Sequence, residues 1–237
     1  MKQLSFLGIL STLLMINTSC EKVIGEGPTI TQNRSAGNFS SVSSSISADV
    51  YYTESPDFKI EITAQQNILD VIETFVVNDE LLVKFKDNVR VKRHESIMVN
   101  ISAPVTHGLR ISGSGNLVVN DSINTTNLHL GLSGSGNISV GKIQATGLDA
   151  SISGSGNITV LNGAINSEKL KISGSGNMDL INVEASTVNT ATSGSGEMRV
   201  NASKTLDVTI SGSGSVYYRG TPVVNTHISG SGKVIHQ

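Results

Sequence analysis

"LDASISGSGNITV", from Leu148 to Val160, reads in two ways. Taken alone, Ser153-Gly154-Ser155-Gly156 has the composition of a flexible linker. In place, it lies inside a strict alternation. Leu148, Ala150, Ile152, Gly154, Gly156, Ile158 and Val160 share one parity, while Ser153, Ser155 and Asn157 share the other. A strand sends successive side chains to opposite faces, so this is one extended segment whose glycines stand at inward positions. A linker has no reason to keep phase with the apolar residues on both sides of it.

The tetrapeptide starts at Ser112, Ser133, Ser153, Ser173, Ser193, Ser211 and Ser229, at intervals of 21, 20, 20, 20, 18 and 18 residues. The first, second, fourth and sixth repeats keep the same phase: Leu109 to Val119, Leu128 to Val140, Leu170 to Leu180 and Leu206 to Tyr218. A fixed period near 20 residues, built from strand-like pieces, predicts a solenoid. Twenty residues at about 3.3 Å each trace a coil of roughly 66 Å, room for three short strands and their corners. Coils then stack about 4.8 Å apart, with apolar residues in inward stacks and serines in outward ladders.

Glycine fits where a coil wall bends sharply or where two walls come too close for a side chain. Gly113, Gly115, Gly134, Gly136, Gly154, Gly156, Gly174, Gly176, Gly194, Gly196, Gly212 and Gly214 are therefore expected at corners. The residue after each SGSG is Asn116, Asn137, Asn157, Asn177, then Glu197, Ser215 and Lys233. Stacked amides hydrogen-bond along such an axis, so the asparagines are read as a structural ladder. Calcium-binding nonapeptide repeats need Asp after their glycines, and no metal or other cofactor is expected.

Before the repeats the chain reads as less regular strands. Val42, Ile46, Ala48, Val50 and Tyr52 share a parity, as do Phe58, Ile60 and Ile62, then Leu81, Val83 and Phe85, then Ile97, Val99 and Ile101. Asn78-Asp79 suits a turn between two strands, and "QNILDVIET" has room for one short helical turn. The expected fold is all-β: a right-handed parallel β-helix of about 20 residues per turn over 105–237, preceded by an irregular β region over 37–104.

The N-terminus, "MKQLSFLGILSTLLMINTSC", carries Lys2, an apolar stretch from Leu4 to Ile16 and small polar residues before Cys20. That stretch is too short to cross a membrane comfortably and reads as a signal peptide over 1–19. Cys20 is the one cysteine in the chain, so no internal disulfide forms. Its position resembles the lipobox of bacterial lipoproteins, with Ser19 as the small residue and Asn17 where Leu is usual. That resemblance implies acylation of Cys20, attachment to the outer membrane, and a tether over 20–36.

A formal charge of -2 and the absence of tryptophan give no pull towards nucleic acid. The glycine-rich runs precede strands, not helices, so they make no phosphate cradle. No serine sits in a strand-to-helix elbow, the histidines are scattered, and no acid recurs at a fixed phase, so a catalytic constellation is not expected. The one dense charge cluster is "KFKDNVRVKRH", with Lys84, Lys86, Arg90, Lys92 and Arg93. It is either a solvated face or a patch for an acidic glycan or lipid headgroup.

"FSSVSSSISADVYYTES", "VNDELLVKFK" and "IMVNISAPVTHGLRISGSGNL", in this order, resemble the GIN domain of the auto-transporter adhesin family, over roughly Gly37 to Gly220. The family occurs in envelope lipoproteins of Bacteroidetes-type bacteria. The resemblance implies a β-helix in a lipoprotein and brings no catalytic residues. The expected function is binding to a glycan, matrix or envelope protein. The alternatives are a carbohydrate-active β-helical enzyme, marked by a buried carboxylate pair in a groove, and a structural protein that oligomerises through its coil ends.

Overall fold

The computed structural model describes residues 21–237, so the signal segment and Cys20 lie outside the described residues. The chain starts with β1 (Glu21–Val23), β2 (Thr29–Asn33), β3 (Ser41–Ser44), β4 (Asp49–Glu54) and β5 (Lys59–Gln65). One helical turn, α1 (Gln66–Leu69), leads to β6 (Ile72–Val77), β7 (Glu80–Phe85), β8 (Val89–Val91) and β9 (Met98–Ala103). The repeats form β10 (Gly108–Gly113), β11 (Asn116–Gly134), β12 (Asn137–Gly154), β13 (Asn157–Val160) and β14 (Gly163–Gly174). They continue as β15 (Asn177–Gly194), β16 (Glu197–Gly212), β17 (Ser215–Arg219), β18 (Val223–Gly230) and β19 (Lys233–His236).

The fold is all-β, a solenoid of about 6 turns with roughly 20 residues per turn. Every pairing among β10 to β19 is parallel and keeps the SGSG register: Gly113 pairs with Gly134, Gly134 with Gly154, Gly154 with Gly174, and so on to Gly230. The unequal intervals are absorbed elsewhere. A bulge between Val119 and Ser122 takes up the extra residue of the first coil, and irregularities between Asp179 and Thr187 take up the shorter coils that follow. The coils are less segmented than three short strands and their corners. β12 runs unbroken for 18 residues, so ladder hydrogen bonds continue round the gentler bends and the main interruption is at SGSG.

Inward residues stack along the axis as the alternation requires. Ile111, Leu132, Ile152 and Ile172 form one column, and Leu117, Ile138, Ile158, Met178 and Met198 another, all at 3% exposure or less. Burying side chains of this size contributes about 1.5–3 kcal/mol each. In the fifth repeat Thr192 follows Ile172 in the first column and Thr190 follows Leu170 in the column beside it; both are buried.

The region before the repeats adds two coils to the same sheet. β3 pairs in parallel with both β7 and β10, and β4 with both β9 and β11. The spatial order is therefore 80–103, then 41–54, then the repeats, and Leu81, Val42 and Leu109 share a column. β6 and β7 form a hairpin whose Asn78 and Asp79 have φ of 50° and 62°, the left-handed pair that a tight two-residue hairpin turn needs. Phe58 departs from its expected parity: it is 41% exposed, with its ring against the edge of Phe39 at 5.2 Å.

The expected tether is corrected from Glu21 onward. β1 pairs in parallel with β8, β2 pairs antiparallel with β5, and Val23 is buried. Backbone pairing, which alternation in so short a segment cannot reveal, holds these residues to the body.

Candidate binding surface of the solenoid

Each SGSG turns the chain through two unlike glycines. The first, at 113, 134, 154, 174, 194, 212 and 230, has φ between +112° and +131°, a region that side chains with a Cβ rarely occupy. The second is extended into the coil below it. A Cβ on Gly156 would run into the carbonyl oxygen of Gly136 and come within 2.7 Å of Leu132 Cδ2. The crowding is thus with the preceding coil, not with an opposing wall. The corner is also hydrogen-bonded. Gly134 O accepts from the amides of Ser155 (2.9 Å) and Gly156 (3.2 Å), and Gly113 O and Gly154 O accept in the same paired way.

Beside the corner runs the asparagine row. Asn137 Nδ2 donates to Asn116 Oδ1 (2.9 Å), Asn157 to Asn137 (2.9 Å) and Asn177 to Asn157 (3.0 Å). Asn116 Nδ2 donates in turn to Asp49 Oδ1 (2.8 Å), and Asn177 Oδ1 accepts the amide of Glu197 (3.1 Å). Asp49 was invisible as a partner in sequence, because its coil precedes the first SGSG.

The outward serines of the motif, Ser112, Ser133, Ser153, Ser173, Ser193, Ser211 and Ser229, are exposed and in register. Four of them, Ser112, Ser133, Ser153 and Ser173, line a shallow groove of about 400 Å3 with the neighbouring row of Arg110, Gly131, Ser151 and Lys171. Arg110 Nη1 is paired with Glu80 Oε1, and a Cβ on Gly131 would lie 3.1 Å from Arg110 Cγ, so the arginine stem crosses the glycine. The groove thus offers hydroxyls at coil spacing between two cations.

The basic cluster does not form one patch. Lys84 on β7 is paired with Asp87 (2.9 Å) and Glu73 (3.7 Å) and lies 5.8 Å from the centre of the Phe75 ring. Its hydrogen bond to Asp87 holds its ammonium above the usual lysine range. Lys86 borders a mixed-charge cleft with Arg34, Asp70 and Glu73. Arg90, Lys92 and Arg93 lie on or beside β8, all exposed.

Glu168 is the one buried carboxylate among the described residues, at 1% exposure. It continues the column between Leu148 and Val188, and neither oxygen has a hydrogen-bond partner. Burial pushes its carboxyl up to about 8. Sequence parity could have shown this, since Glu168 is in phase with Leu170 and Ile172. Tyr52, buried in the first coils, has its phenol raised above the usual range by burial and by Glu54. No group of three or more His, Cys, Asp or Glu side chains converges among the described residues. No described helix is long and apolar enough to cross a membrane.

A continuous parallel solenoid with regular polar ladders on its outer wall defines a class, the parallel β-solenoids. Residues 38–222 match the family described as "Putative auto-transporter adhesin, head GIN domain", and the chain belongs to that family. Among solved structures it is similar to a "putative adhesin" from Bacteroides fragilis NCTC 9343, with a TM-score of 0.84, 23% identity, and 91% of this chain and 100% of that chain covered. It is also similar to a "putative lipid binding protein" from Parabacteroides distasonis ATCC 8503, with a TM-score of 0.80, 23% identity and coverage of 92% and 100%. A "putative adhesin" from Parabacteroides merdae ATCC 43184 has a TM-score of 0.75, 23% identity and coverage of 92% and 99%. Likeness at this identity establishes the fold. No curated protein matches the chain.

Proposed function

We propose that this protein is an outer-membrane lipoprotein, anchored through Cys20, whose solenoid wall binds an acidic glycan as an adhesion module. The observation that carries the reading is the row of four in-register serines, Ser112, Ser133, Ser153 and Ser173, along the groove between Arg110 and Lys171. Hydroxyls repeating at about 4.8 Å suit an extended polymer lying along the axis, and Lys171, which joins none of the ion pairs among the described residues, suits carboxylates or sulfates on it. Membership of an adhesin family supports a binding role. Glu168 is single and sealed in the core, so it does not supply the carboxylate pair in a groove that a glycosidase uses.

A glycan array and pull-down with residues 21–237 test the reading. Acidic glycans should be retained, and Lys171→Glu should abolish retention without changing the melt. Equal retention of neutral glycans, or none of any, would overturn it. An association role also has support: Val223 and Ile228 in the last described coil are 66% and 40% exposed. A dimer mass in solution that falls to monomer on Ile228→Asp would favour it.

A further inference from the structure

β1 and β8 form a two-stranded parallel sheet of their own, apart from the seventeen-stranded one. The pairing begins at once: Glu21 N donates to Asn88 O (2.8 Å), Lys92 N to Val23 O (2.9 Å) and Gly25 N to Arg93 O (2.6 Å). Val23 pairs with Val91 on the inward side, while Lys22 pairs with Arg90 on the outward side. By alternation Ile24 and Lys92 share that outward face, and Ile24 is 47% exposed. Lys22, Arg90, Lys92 and Arg93 join none of the ion pairs among the described residues, unlike Lys84 and Arg110. The outward face therefore presents cations and one apolar side chain.

We infer that this ribbon face is a docking surface for an anionic phospholipid membrane, seating the solenoid directly on the bilayer. The inference rests on reading Cys20 as the acylated residue. One peptide bond separates Cys20 from Glu21, which is already hydrogen-bonded to the body. At about 3.3 Å per residue, Lys22 lies roughly 7 Å from an anchor at Cys20. The headgroup layer on each side of a bilayer is about 5–7 Å deep. An acyl chain inserted at Cys20 thus brings Lys22 and its neighbour Arg90 to headgroup phosphates. That is within the Debye length of about 8 Å, where charge attraction acts. Ile24 adds apolar contact at the same level. The segment that follows the anchor works as a footing, with its length already taken up by pairing to β8.

Residues 21–237, without Cys20, hold every described strand and isolate the ribbon from the acyl chain. Co-sedimentation with vesicles containing phosphatidylglycerol, against vesicles of phosphatidylcholine alone, reads the interaction. Binding is expected to the anionic vesicles only and to be lost at high salt. Lys22→Glu, Arg90→Glu and Lys92→Glu should each weaken it by more than about fivefold, since loss of one cation alone costs about 1 kcal/mol and the reversal adds a repelled carboxylate. Lys169→Glu, on the repeats, should leave it unchanged. The substitutions are on exposed positions; if a reversed variant melts early, Arg90→Gln and Lys92→Gln replace it. Equal binding to both vesicles, undiminished binding of folded variants, no binding at all, or preference for a soluble acidic polysaccharide over the vesicles would overturn the inference. Detergent-phase partitioning of the full chain and its Cys20→Ala variant reads the anchor separately, so failure of the anchor and failure of the ribbon are told apart.

Discussion

The side-chain amide of Asn157 donates to Oδ1 of Asn137, 2.9 Å away on the preceding coil. Every amide in the row is oriented alike, so the row is a polarised chain that ends on the carboxylate of Asp49. Removing its middle member strands two neighbours at once. Asn137→Ala should cost about 1–2 kcal/mol, two hydrogen bonds at roughly 0.5–1.5 kcal/mol each less what water restores. Urea melts of Asn137→Ala beside Asn177→Ala check this, with a similar loss expected at Asn177, which donates to Asn157 and accepts the Glu197 amide.

Glu168 makes stability depend on pH. Its folded carboxyl titrates at about 8 because burial disfavours the charge, while the unfolded chain titrates near the ordinary 4.5. Between those values the unfolded state has lost a proton that the folded state keeps. Stability is therefore greatest below about pH 4.5, falls as pH rises and levels off above about 8. Glu168→Leu, matching Leu148 below it, should remove this slope and stabilise the protein at pH 7 by about 2–3 kcal/mol. Thermal melts at pH 5 and pH 8 read both effects. An unchanged slope in the variant would assign the dependence to other groups.

Cys20→Ala should move the full-length protein from the detergent phase to the aqueous phase, because two or three acyl chains hold a lipoprotein where one would not. Unchanged partitioning of the variant would remove the anchor from the account.

The solenoid was legible because a strand's period of two leaves few choices once glycines, serines and apolar residues keep one phase through successive coils. The helical turn at Gln66–Leu69 and the hairpin at Asn78-Asp79 were legible for local reasons, a run with room for one turn and a pair that tolerates positive φ. What stayed hidden depends on non-local pairing. Nothing in "EKVIGEGPT" announces that Lys22 lies beside Arg90, because three residues are too few to show alternation. Nor does the chain order reveal that 41–54 lies between 80–103 and the repeats. Thr190 and Thr192 escaped notice because threonine suits either face of a strand. The basic run was legible as charge but not as geometry, since the turn at Asn88 (φ 63°) sends Lys84 and Arg90 to different strands.

The corner glycines decide whether the repeats are packed structure. Gly156→Ala places a methyl against Gly136 O and Leu132 Cδ2, which are backbone and core and have little room to yield. Gly154→Ala imposes a side chain on a φ of +131°. Each should cost about 1–3 kcal/mol, whereas Ser155→Thr, at the exposed position between them, should change stability by less than about 0.5 kcal/mol. Chemical denaturation of the three variants beside the parent protein is the most direct measurement. The account predicts a marked loss for both glycine variants and none for the serine variant; three midpoints equal to the parent's would contradict the stacked corner and the solenoid built on it.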